Sequence, residues 1–281
     1  MLIRFYGVRG SVPTPGPSTV RYGGNTVCVE VRLADGTLIV LDGGTGLREL
    51  GRALLRAPYS GPMALLLTHL HWDHVLGIPF FGPIWRKDTH VQIYPLANAV
   101  QQSTVEQRAL FDGIHFPVRA ADVPAKIEFV SDAALEWRIG SATITRIQLN
   151  HPGGAQGFRI DDADGASLVY VTDNELSPPT PPETTMDELA HFASGAGLLI
   201  HDAQYFASDM PEKCGWGHST VDDTLLLAKK ADVRRVALFH HDPERDDADL
   251  DALSERVRAW FDANAKETIG SVATEGTTVT L

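Results

Sequence analysis

Apolar and polar positions alternate in short runs along most of the chain, and the runs stop at glycine, proline or a charged residue. Leu2 to Gly7 alternates and then meets Arg9-Gly10-Ser11 and a loop punctuated by Pro13, Pro15, Gly16 and Pro17. This predicts a strand entering a stiff loop. Thr26 to Leu33 alternates with period two, the mark of a half-buried strand. Asp35-Gly36 is a strong hairpin signal, and Thr37 to Leu41 is the returning strand. Met63 to Leu67 is an apolar run bounded by Gly61-Pro62 and Thr68, long enough for a buried strand and too short for most helices. Further strands are expected at His90–Tyr94, Lys126–Val130, Ala142–Leu149, Gly157–Ile160, Ser167–Thr172, Gly197–Ile200 and Arg234–Phe239. Ile269 to Leu281 holds one or two closing strands. Helical patterns cover Leu47–Ala57, Val100–Phe111, a stretch from Met186, Ser219–Lys230 and Asp249–Ala263. Pro178 to Pro182 forms a rigid loop too short to link domains. With no tandem repeat, residues 1–281 read as one α/β domain.

Strand after strand in this layout ends in a residue able to bind metal: Asp42, His69, His151, Asp173 and His240. Strand ends in α/β architectures line the crevice where ligands bind, so these distant positions are read as one site. His69-x-His71-x-Asp73-His74, directly after the Met63–Leu67 run, packs four strong ligands into six residues. Imidazole and carboxylate suit zinc and related divalent ions. Period-two spacing aims His69 and His71 the same way, with Asp73 and His74 facing a neighbouring point. Four such groups exceed what one catalytic ion with an open position takes, so two divalent ions are expected.

Composition narrows the function. The net charge is −12, from 24 Lys and Arg against 36 Asp and Glu, which argues against a large nucleic-acid surface. A small phosphorylated substrate stays open, because a metal supplies positive charge locally. Only 2 cysteines are present, which excludes a disulfide-stapled scaffold. The N-terminus lacks a signal-peptide pattern and no stretch has the length of a membrane span, so a cytoplasmic protein without membrane contact is expected.

His69-x-His71-x-Asp73-His74 resembles the signature of the metallo-β-lactamase fold superfamily. Leu41-Asp42-Gly43-Gly44, His151 in Leu149-Asn150-His151-Pro152, Asp173 in Tyr170-Val171-Thr172-Asp173, and His240 in Leu238-Phe239-His240-His241 match its other motifs. The resemblance covers nearly the whole chain and implies a four-layer αββα sandwich. It implies that His69, His71 and His151 hold one ion, that Asp73, His74 and His240 hold a second, and that Asp173 bridges them. His240 and His241 compete for the last place, and alignment on the family pattern favours His240. The resemblance makes Asp42 a residue that orients the site rather than a ligand.

Two further motifs point to one branch. His201-Asp202-Ala203-Gln204-Tyr205 and Gly217-His218-Ser219-Thr220 are similar to a paired motif of the ribonuclease Z-like phosphodiesterases, with Asp202 in place of a longer Glu. A carboxylate beside His218 would keep that imidazole protonated and aimed at a phosphoryl oxygen or a leaving alkoxide. The other reading of the second motif is a helix cap at Ser219. The long-arm tRNA enzymes of this branch carry a basic insertion between the third-motif His and the bridging Asp. Here the interval from His151 to Asp173 has room for two strands and an acidic turn. The resemblance therefore implies a small phosphodiester substrate, a cyclic nucleotide or cyclic ribose phosphate. Metal-activated hydroxide would attack phosphorus with His218 assisting, and Asp73, Asp202 and His218 would be the catalytic residues. Two zinc ions are the first expectation, with manganese or iron as alternatives, and a homodimer is implied by the branch alone. A metal-dependent thioesterase or lactonase, and an RNA 3′-processing endonuclease, are the competing readings. An aromatic lid at Tyr205, Phe206 and Trp216 competes with ordinary loop packing. Arg9, Arg21 and Arg245 read more readily as solvated surface charges than as phosphate contacts.

Overall fold

The computed structural model describes residues 1–57, 59–96, 111, 113–114, 116–130 and 134–281. The alternating runs form the expected strands: β1 (Leu2–Gly7), β2 (Cys28–Arg32), β3 (Leu38–Leu41), β4 (Pro62–Leu66), β5 (His90–Ile93) and β6 (Lys126–Phe129). In the second half come β7 (Glu136–Ile139), β8 (Ala142–Leu149), β9 (Ala155–Asp161), β10 (Ser167–Val171), β11 (Leu198–Asp202), β12 (Arg235–Phe239), β13 (Ile269–Val272) and β14 (Thr278–Thr280). They make two sheets of seven described strands, ordered β14-β1-β2-β3-β4-β5-β6 and β13-β12-β11-β10-β9-β8-β7. The two closing strands thus join different sheets. β3 to β6 run parallel, as do β10 to β13, while the hairpins β1–β2–β3 and β7–β8–β9–β10 are antiparallel.

The period of two decides which side chain faces which layer. Ile3, Phe5, Val29, Val31, Ile39, Leu41 and Leu66 of the first sheet meet Ile144, Phe158, Ile160, Leu168, Tyr170, Ile200 and Phe239 of the second in one buried core. The intervening residues Leu38, Val40, Met63 and Leu65 face outward onto α1 (Gly46–Arg56). On the other side Val169, Val171, Leu199, Val236 and Leu238 pack against α3 (Met186–Phe192), α4 (Val221–Lys230) and α5 (Asp247–Asn264). Each large apolar side chain so buried contributes about 1.5–3 kcal/mol. Helix, sheet, sheet, helix is the αββα sandwich.

Two details depart from the sequence reading, and a third expectation is not tested. Glu136–Ile139 is a strand with only four alternating residues, too few to stand out. The His69–His74 hexapeptide is not one loop: Trp72–Val75 forms a single-turn helix, α2, with His71 at its N-cap. The helix expected over Val100–Phe111 falls outside the described residues except at Phe111.

Candidate metal centre

Seven side chains from four loops converge at one edge of the sandwich. His69, His71, Asp73 and His74 follow β4. His151 follows β8, Asp173 follows β10 and His240 follows β12. They form two groups. His69, His71, His151 and Asp173 make the first, and Asp73, His74, Asp173 and His240 the second, with one donor atom from each residue inside 4.8 Å of the others. Asp173 belongs to both. Its Oδ1 lies 3.7 Å from His69 Nε2 and from His151 Nε2. Its Oδ2 lies 3.0 Å from His74 Nε2 and 3.2 Å from His240 Nε2. His151 Nε2 is 3.0 Å from His71 Nδ1, and Asp73 Oδ2 is 3.1 Å from His240 Nε2.

These spacings fit cations. Ligands ~2.0–2.1 Å from a tetrahedral ion stand roughly 3.3 Å from each other. His69 Nε2 and His74 Nε2 are buried without a hydrogen-bond partner, an arrangement that costs stability unless an ion completes it. Burial, the leading cause, also pushes His69, His71 and His151 below the usual imidazole range. That favours the neutral form, which carries the ligating lone pair. Burial alone would raise Asp173, but the facing rings of His240, His74 and His69 hold it well below the usual carboxylate range.

The outer nitrogens of the rings are fixed by protein groups, which sets their tautomers. His151 Nδ1 donates to Gly217 O at 2.9 Å, and His240 Nδ1 to Gln204 Oε1 at 2.8 Å. Asp42 belongs to neither group but touches the outer side of one of their rings. Its Oδ2 lies 3.0 Å from His74 Nδ1, and it accepts from Thr68 N at 2.8 Å and from Tyr170 Oη at 2.9 Å. Asp73 Oδ2 accepts from the Ser11 backbone N–H at 2.7 Å. Gln204, Thr68 and Ser11 are contributors that motif reading missed. Gln204 stands two residues beyond Asp202, the spacing of one strand face, and that was the available signal.

Asp42, Asp173 and His240 share a backbone feature. Strict alternation would turn them outward with Val40, Val171 and Leu238, toward the helices. Each instead has positive φ, at 58°, 54° and 60°, which breaks the alternation and returns the side chain to the edge between the sheets. Such conformations cost about 1–3 kcal/mol each and gather at functional sites.

His218 and Asp202 complete the edge. On β11, Asp202 shares the inward parity of Ile200, while His201 shares that of Leu199 and contacts Thr224 on α4. Asp202 Oδ2 lies 2.7 Å from His218 Nδ1. The His218 ring stacks on His240 with centroids 5.0 Å apart and lies 5.2 Å from His151. Burial alone would lower its pKa. The charge and hydrogen bond of Asp202, aided by Asp173 and Asp73, overcome that and raise it to about 9. Of the adjacent pair, His240 faces the donors, and His241 turns away to Ala273 O at 2.8 Å.

Arg9 corrects an expectation. Neither solvated nor aimed at the centre, it is fully buried and ties loops together through Gly23 O at 2.8 Å and Arg245 O at 2.6 Å. Arg21 is an exposed partner of Asp251. Arg245 pairs with Asp209 at 2.6 Å and lies over Phe206. Tyr205 is buried edge-on against His218, while Trp216 is 56% exposed, with Lys213 Nζ 4.1 Å from its ring centroid. No helix among the described residues is long and apolar enough to cross a membrane.

Comparison with known proteins agrees with this architecture. Residues 37–241 match the beta-lactamase superfamily domain. A ribonuclease Z of Mycobacterium sp. (strain KMS) is 30% identical over 251 residues, covering 82% of this chain and 81% of the relative. Unliganded yeast PDE1 superposes with TM-score 0.71 at 17% identity, over 100% of this chain and 99% of its own. Zn(2+)-bound PqqB from Methylobacterium extorquens gives 0.69 at 17% identity, over 100% of both chains. The family fold, with the two His/Asp groups, implies divalent metal ions. The chain belongs to the beta-lactamase superfamily, among its ribonuclease Z-like, metal-dependent hydrolases.

Proposed function

We propose that this protein is a phosphodiesterase for a compact phosphodiester, a cyclic nucleotide or cyclic ribose phosphate. The observation that carries the reading is the Asp202–His218 pair, joined at 2.7 Å, with the imidazole stacked on His240 of one donor group and edge-on to His151 of the other. A cationic imidazole there answers the negative charge that a phosphodiester accumulates on its non-bridging and departing oxygens in the transition state.

In this reading His69, His71, His151 and Asp173 hold one divalent ion, and Asp73, His74, His240 and Asp173 hold a second. Zinc suits the donors best, with manganese or iron as alternatives. When bound, such ions acidify water and neutralise phosphoryl charge. The chain does the rest. Asp202 accepts a hydrogen bond from the Nδ1–H of His218 and keeps the ring protonated, which leaves Nε2–H free to donate to a phosphoryl or departing oxygen. Asp202 is itself steadied by the Gln204 N–H at 3.0 Å. Asp73, fixed by Ser11, orients the attacking water in addition to its role as a ligand.

The Mycobacterium relative is named for ribonuclease Z activity, so RNA is the rival substrate. Against it stands the net charge of −12. The interval between His151 and Asp173 is filled by β9 and β10, whose connecting turn carries Asp162 and Asp164 and no basic residue. The deciding experiment assays metal-analysed protein on bis(p-nitrophenyl) phosphate, 3′,5′- and 2′,3′-cyclic nucleotides, a precursor tRNA, a thioester and a lactone, with a His218→Ala variant in parallel. Phosphodiester turnover that chelation abolishes and His218→Ala cuts by about 100-fold or more supports the reading. Turnover of the carbonyl substrates with His218→Ala near wild type sinks it, and preference for the precursor tRNA replaces the small substrate with RNA.

A further inference from the structure

Glu175 is 3% exposed, and the proposed chemistry makes no use of it. Both carboxylate oxygens are taken by backbone. Oε1 accepts from Gly215 N at 2.9 Å and Oε2 from Gly217 N at 3.0 Å. An ion this deeply buried costs several kcal/mol unless such donors answer it. The two glycines flank Trp216 and immediately precede His218. Both are left-handed, at φ 83° and 88°. A Cβ on Gly217 would lie 2.3 Å from His151 Nδ1, so no other residue fits where that ring donates to Gly217 O.

The same two segments meet again on the far side of His218. Ser219 Oγ donates to Asn174 O at 2.5 Å and accepts from Leu176 N at 3.2 Å. Glu175 N in turn donates to Asn150 O at 3.0 Å, next to His151. The segment that begins with Asp173 therefore grips the segment that carries His218 before and after the imidazole. Asp202 orients the ring, but Glu175 sets where its backbone lies relative to Asp173.

We infer that Glu175 is a positioning residue that fixes His218 against the metal centre, an inference that rests on the catalytic reading of His218. Its chemistry is specific. Both partners are N–H donors, so two acceptor oxygens are required. Glutamine has nearly the same shape but offers only one acceptor, and its amide N–H would oppose the second glycine.

The test uses the full, metal-loaded chain and bis(p-nitrophenyl) phosphate. Glu175→Gln should lower kcat about 10- to 100-fold with little change in KM. In a His218→Ala background it should cost less than about twofold, because its route of action is already gone. Equal losses in both backgrounds, or no loss in the wild type, overturn the inference. A second readout needs neither metal nor turnover. Amide exchange at Gly215 and Gly217 should accelerate in Glu175→Gln while the β10 and β11 amides stay protected, and unchanged exchange overturns the brace. If Glu175→Gln yields no folded protein, Ser219→Ala, which cuts the other link, must show the same dependence on His218, and independence of it overturns the inference. A wild type without phosphodiester turnover sinks the proposed function and the catalytic clause with it, while the exchange measurement still decides the brace.

Discussion

At His218 two effects compete, and the outcome sets a pH dependence. Burial disfavours the imidazolium, while Asp202, Asp173 and Asp73 favour it and raise its pKa to about 9. With cations on the neighbouring donors the share of Asp173 and Asp73 fades, and Asp202 carries what remains. Under the proposed function the useful form is protonated, so activity should fall as pH rises through the His218 pKa. Asp202→Asn removes the favouring charge and should move the alkaline limb of the kcat profile to lower pH, a shift that stopped-point assays at constant ionic strength will read. Gly217→Ala tests a different physical term. Its Cβ would meet His151 Nδ1 at 2.3 Å on a backbone at φ 88°, so the ring must leave its place. Metal analysis after dialysis should find ion content lowered in Gly217→Ala and unchanged in a control at Gly165, whose added Cβ meets nothing.

Elements were the most legible scale. The β1, β8 and α1 boundaries fall within about two residues of those read from periodicity, within the usual uncertainty of helix and strand ends. The five His and Asp residues at strand ends were visible as a pattern because each closes an apolar run. Their aim was not visible. Alternation assigns Asp42, Asp173 and His240 to the wrong face, and only the positive φ at each reverses it. Nor could sequence show Glu175, whose partner Gly217 stands 42 residues away along the chain. Capping, by contrast, is local, and the cap offered at Ser219 falls one residue on, at Thr220, whose side chain accepts from Asp223 N. Asp246 accepts from Ala248 N at 2.8 Å and Asp249 N at 2.9 Å at the start of α5. Asp246→Ala should cost about 1 kcal/mol, seen in thermal denaturation as a midpoint lower by roughly 2–4 °C. Because α5 packs on the outer face, turnover should stay at the wild-type level.

For the molecule as a whole, the donor groups are a seam. His69, His71, Asp73 and His74 come from the first sheet, and His151, Asp173 and His240 from the second. Each group draws on both sheets, so an ion bound there binds the docked pair and not the separate halves. Chelation should therefore lower the melting temperature as well as abolish turnover, with the size of the shift following free metal concentration. The seam also dictates an order of events. Asp73 and His240 are 167 residues apart, and closing so long a stretch of chain is slow compared with forming local hairpins. During refolding, uptake of a coloured ion such as cobalt should lag behind the recovery of secondary structure, because the colour reports the final docking of the sheets. The centre would then serve as a completion signal for the chain's own assembly: a half-folded copy could hold the peptide shape of a strand or helix and still be unable to take up its ions.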